Sequence, residues 1–277
     1  MCLRPLFVIL ALFLTCVCAG SEESAKHSFS SFVDTESILL RKEQRLSRLA
    51  EGLGEWVRGR SPRDAFSALL NTEKKALNNE QQDLPAHEFV HRLVGLERDM
   101  VLGMERLSSS ETPNGSEQKQ LFSLLNKKTQ ERTQVLLDWR YGRVVDFLSR
   151  GDGSVNHMYF RWEASWHPIW QEENRLAARL QSALLDESTD DHKTILRALL
   201  RLRLRASHIA APGHLSEIQK LAQERLAILA RTGAQLVRLD DKKSRGTITQ
   251  VRRLSRQLSA LTDQFQVRRL SLLEGML

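Results

Sequence analysis

"FVDTESILLRKEQRLSRLAEGLGEW", residues 32–56, decides the fold class. Phe32, Leu39, Leu46 and Leu53 recur at every seventh position, and Leu49 and Trp56 fill the intermediate positions of the later heptads. Seven residues make about two helical turns, so these side chains line one face of a helix. Thr35 and Lys42 stand at the intermediate positions of the earlier heptads and interrupt the apolar seam. The spacing predicts a helix from Ser30–Asp34 to about Arg58, with a face for a second helix in a hairpin or a short coiled coil. "GRSP" (59–62) ends it, and Ser61-Pro62 starts the next.

The same pattern continues outward. Helices are predicted over about 62–80, 86–107, 117–149, 155–185, 192–209, 215–239 and 248–273, because Leu, Ala, Arg, Gln and Glu dominate there and strand-like alternation is rare. In the last of these, Val251, Leu254, Leu258, Leu261 and Phe265 step by three and four. The expected fold is all-α: extended helical hairpins forming a coiled-coil-like bundle. The expected organisation is a signal peptide (1–20), an N-terminal helical segment (21–107), a polar linker (108–118), a second helical segment (119–215) and a basic helical pair (216–277).

"MCLRPLFVILALFLTCVCAG" (1–20) has a positive start at Arg4, an apolar run from Leu6 to Val17 and small residues at Ala19-Gly20. That order predicts a secretory signal rather than a membrane span, which needs about 20 apolar residues. Cys2, Cys16 and Cys18 all lie within it. The processed chain would have no disulfide and no thiolate ligand, so packing alone must hold it. The expected location is the lumen of the endoplasmic reticulum or the exterior. The net charge is +7, concentrated late in "RALLRLRLR" (197–205) and "VRRLSRQL" (251–258). For a secreted chain this argues against nucleic acid: the basic stretches read first as solvated helix faces with i,i+4 Glu/Arg pairs, and as a partner an acidic protein or lipid headgroups fit better. No stable membrane insertion is expected.

Candidate chemistry is sparse. "HEFVH" (87–91) has the HExxH letters, which on a helix set two imidazole ligands beside a glutamate base. However, Pro85 puts His87 in the first turn, Arg92 follows the second histidine, and no third ligand stands at the usual spacing. His87 and His91 therefore remain only as an alternative zinc site. None of the eight histidines is followed two residues later by Asp or Glu, so no compact iron-binding pair is present. Asn114-Gly115-Ser116 is a glycosylation sequon in the polar linker. Tyr159, Trp162, Trp166 and Trp170 stripe one helix face until Pro168, either as core or as an aromatic groove for a Pro-rich peptide.

Several segments together resemble the N-terminal region of the collagen prolyl 4-hydroxylase α-subunit. These are "FSSFVDTESILLRKEQRLSRLAEGL" (29–53), "PAHEFVHRL" (85–93), a rival match at "SVNHMYFRWEASW" (154–166), and "DDHKTILRALLRLRLRASHIAAPGHLSEI" (190–218). The resemblance implies a lumenal protein whose helices pair subunits, as a homodimer or with another secretory-pathway protein. Phe32, Leu39, Leu46, Leu49, Leu53 and Trp56 would form the pairing face. The family's catalytic domain has no counterpart here, so its iron and 2-oxoglutarate are not carried over, and no cofactor is expected. The expected function is non-catalytic subunit assembly or scaffolding. A peptide-binding module and a zinc hydrolase are the alternatives.

Overall fold

A computed structural model describes residues 4–57, 59, 61–83, 88–109, 115–150, 155–186, 189–241 and 245–277; the side chains of 4–27 and of several helix ends lie outside that set. The fold is all-α. The described residues form eight α-helices: α1 (Arg4–Val57), α2 (Arg63–Asp83), α3 (Glu88–Ser109), α4 (Gly115–Ser149), α5 (Val155–Asp186), α6 (Thr189–Ser207), α7 (Ser216–Asp241) and α8 (Arg245–Glu274). A short 3-10 turn, Gly213–Leu215, precedes α7.

Local chemistry explains most of the boundaries. Gly59 ends α1 with φ 66°, a left-handed conformation that glycine adopts without strain, and its N–H returns to the Trp56 carbonyl at 2.8 Å. Pro62 then opens α2, and its carbonyl accepts from Ala65 N. Helix α1 starts at Arg4, well before the expected start at Ser30–Asp34. Between Pro5 and Phe32 the sequence contains no proline and only Gly20, so nothing local stops the helix. Helix α5 also runs unbroken through Pro168. Pro168 is exposed there, and the Trp166 and Trp170 rings on either side stay stacked, 6.0 Å apart. Packing holds a helix whose proline has lost one backbone bond.

Each helix packs against the next, and α8 returns onto α1. The largest core joins Phe29, Phe32 and Val33 of α1 to Leu137 and Val144 of α4 and to the inner faces of α5–α8. A second core lies among α1–α4, around Leu49, Leu53, Phe66, Leu70, Met104 and Leu107. Leu39, Leu93 and Leu136 form a small third cluster, beside Phe89 stacked on Trp139 at 4.7 Å. Helices α1 and α4 thus contribute to all three. At Gly52 an added Cβ would come within 2.8 Å of Leu69 Cδ1, so glycine allows the close α1–α2 approach. Among the described residues, no helix is long and apolar enough to cross a membrane. The expected signal segment lies outside the described side chains.

Candidate functional site

Helices α1, α8, α4 and α5 line a cleft of about 510 Å³, to which α7 adds Arg225 and Leu229. That volume lies in the range of ligand sites, roughly 300–1,000 Å³. Leu46, Leu136, Leu137, Leu229, Leu258 and Phe265 supply apolar wall, and Thr129, Thr133, Asn174, Ser255, Ser259 and Gln266 supply hydrogen-bonding groups.

Buried ion pairs fix the walls. At one end, Glu36 of α1 receives Arg140 of α4 through two guanidinium nitrogens, each at 2.9 Å. Arg269 of α8 reaches Glu36 at 2.7 Å and Glu163 of α5 at 2.6 Å. Four helices meet through four charged side chains. Burial alone would raise the Glu36 carboxyl, but Arg140 and Arg269 outweigh it and hold it below the ordinary carboxylate range. Midway along, Lys42 donates to Glu97 at 2.6 Å, and Arg132 donates to Glu97 at 3.0 Å and to Glu43 at 3.4 Å. Opposite, Arg225 of α7 pairs with Glu173 at 3.0 Å and lies over the Phe265 ring. Burial pushes the Glu173 carboxyl up, and Arg225 offsets this only in part. Asp263 at the cleft edge is also pushed up, by burial and then by Glu43 and Glu51.

Three donors on these walls have no partner among the described residues: Arg132 Nη2, Trp170 Nε1 and Arg225 Nε, each buried. A buried N–H without an acceptor is costly, and native structures rarely keep one without a reason. These three donors share the cleft with one unpaired buried acceptor, Glu163 Oε2, so its walls offer polar groups of both kinds to a ligand.

The expected site residues fall as follows. Phe32, Leu39, Leu46, Leu49 and Leu53 are buried, and Trp56 stacks on Phe66 at 5.8 Å. The seam is met by the chain's own α2, α3, α4 and α8, because α1 is long enough to serve several neighbours. Tyr159, Trp162 and Trp166 are also core. Trp162 and Trp166 both donate to Gln219 Oε1, at 2.7 and 2.8 Å. Only Trp170 reaches the cleft. The stripe is not an open groove, because α7 and α8 pack over it. His91 is exposed on α3, while His87 and Asn114 lie outside the described residues. Among the described residues, no three metal-ligating side chains converge.

The residues that the sequence reading missed are the buried charges. Lys42 interrupts the seam because it is an ion-pair partner; a polar residue at a seam position was the available signal. Arg269 stands four after Phe265 and continues the apolar face of α8.

His167, at the cleft rim, stacks on Tyr141 with ring centres 4.0 Å apart. Burial pushes its imidazole below the ordinary value of 6.5, against the pull of Asp138 and Glu163. The folded state therefore prefers the neutral ring. Its contribution to stability is complete above the unfolded value and is lost as pH falls towards the folded one. His167→Phe should flatten the stability–pH curve just below pH 6.5. A proton-NMR midpoint for His167 at or above that value would contradict this.

Comparison with protein families, with characterised proteins and with solved structures finds no match for this chain.

Proposed function

We propose that this chain is a helical binding module that takes an extended peptide segment into the α1/α8–α4/α5 cleft. The observation that carries the reading is the set of three unpaired buried donors beside two carboxyls pushed up. Arg132, Trp170 and Arg225 need acceptors, and Glu173 and Asp263 favour donors nearby. A peptide main chain offers both, carbonyls and N–H groups in alternation. A lipid tail offers neither.

The dimensions fit as well. Residues 129–144 of α4 flank the cleft, a length of roughly 22 Å at 1.5 Å per residue. An extended chain covers that in about six or seven residues. Leu46, Leu136 and Phe265 would receive side chains between the polar contacts. The basic, apolar and small-residue order of residues 1–20 supports residence in the secretory pathway, and so does the resemblance to the hydroxylase region. Subunit assembly, the role that resemblance implies, would need a face other than the α1 seam.

Tryptophan emission titrated with a pool of random hexapeptides tests the reading. The wild type should respond at micromolar to millimolar pool concentration, and Trp170→Phe should lose most of the response. Ala177→Phe and Ser259→Phe, which fill the cleft from opposite walls, should each weaken binding at least about tenfold, the scale of 1.4 kcal/mol. No response at millimolar pool, with backbone amide exchange of α4 and α5 unchanged, would reject the proposal.

A further inference from the structure

Helix α6 has two faces of opposite character. Ile195, Leu199, Leu202 and Ala206 are buried against α5 and α7. Directly opposite, at the 100° step of an α-helix, stand Lys193, Arg197, Leu200, Arg201 and Leu204, all exposed. Leu204 is 63% exposed and Leu200 48%, among the most exposed large apolar side chains in the described chain. Their spacing of four sets them one above the other. Arg203 flanks them on one side, and Arg197 and Arg201 on the other. The basic field extends onto α5, where Arg175 and Arg179, together with Arg205 of α6, hold the Glu172 carboxyl below its ordinary value.

From this we infer that the outer face of α6 docks on an anionic membrane surface. Two leucines between cations on one straight helix suit a fluid interface. The leucines enter the headgroup boundary while the guanidinium groups stay at the phosphates. A protein partner would instead need a larger desolvated anchor cluster, on the order of 800 Å² per side, than two leucines supply. The docking is peripheral and does not depend on the cleft.

Sedimentation of the full chain with vesicles tests it. Binding is expected to phosphatidylcholine vesicles containing phosphatidylserine, not to pure phosphatidylcholine, and should reverse in high salt because screening acts on surface charge. Each cation strengthens partitioning roughly fivefold at low salt, so Arg197→Gln with Arg201→Gln should weaken it about 25-fold. Leu200→Ser with Leu204→Ser should also weaken it while leaving the charge unchanged. Ala177→Phe should bind vesicles like the wild type, which separates this inference from the peptide reading. Three results would overturn it: equal binding to both vesicle types; an equal loss from Arg252→Gln with Arg253→Gln on α8; or capture by soluble polyglutamate without vesicle binding, which would assign the face to an acidic protein.

Discussion

Arg269→Met is expected to destabilise the fold by about 3–5 kcal/mol, the usual cost of removing one partner from a buried ion pair. The Arg269 side chain is 3% exposed and bridges two carboxylates from different helices, Glu36 of α1 and Glu163 of α5. Glu36 would keep Arg140. Glu163 would lose its ion-pair partner and stay buried, with its charge uncompensated. Urea denaturation should show the loss, and thermal unfolding should fall by roughly 6–15 °C. Arg269→Met with Glu163→Gln should recover part of it, because the stranded charge is then removed. A loss below about 1 kcal/mol would mean that the network contributes little.

The pH dependence has a definite sign. Glu36 has its folded pKa depressed, so its stabilisation is fully present above the unfolded value of 4.5 and is lost as pH falls through the folded one. In Arg269→Met, one of the two cations that depress it is gone. Acid unfolding should therefore begin at a higher pH than in the wild type.

Gln219→Leu should cost about 2–6 kcal/mol, since it leaves two indole N–H groups unpaired in the core at about 1–3 kcal/mol each. Gln219 sits on α7 and is buried. Its Oε1 accepts from both Trp162 and Trp166, and its Nε2 donates to the Ile209 carbonyl at 2.7 Å in the α6–α7 connection. One amide thus ties the tryptophan ladder to the loop that positions α7. Leucine has similar volume, so the loss would come from hydrogen bonding rather than from a cavity. Gln219→Glu should lose less, because a carboxylate still accepts both indoles but cannot donate to Ile209. Urea midpoints, with near-ultraviolet circular dichroism for the indoles, separate the cases. A Gln219→Leu protein as stable as the wild type would sink this account.

Much of this was legible in the sequence where the controlling chemistry is local. The α1–α2 break was readable from Gly59, Ser61 and Pro62, because a left-handed glycine and a first-turn proline act within a few residues. The cleft was much less legible. Trp162, Trp166 and Trp170 look equivalent at a spacing of four, yet only Trp170 faces the cleft, since Gln219 engages the other two. The HExxH letters, already set aside as a zinc site, did not point to the informative residue of α3: His91 is exposed, and Glu97 holds Lys42 and Arg132.

By itself the sequence determined an all-α chain and, for the most part, which face of each helix turns inward, because apolar periodicity records burial and Gly and Pro record the breaks. Only the tertiary structure decided what each inward face meets. The α1 seam could have met another chain; it meets α2, α3, α4 and α8 instead. Glu36 and Arg140, 104 residues apart, and Arg269 and Glu163, 106 apart, become ion pairs only when α1, α4, α5 and α8 converge. Helical periodicity fixes the direction of a side chain, but not the identity of the group that lies opposite it.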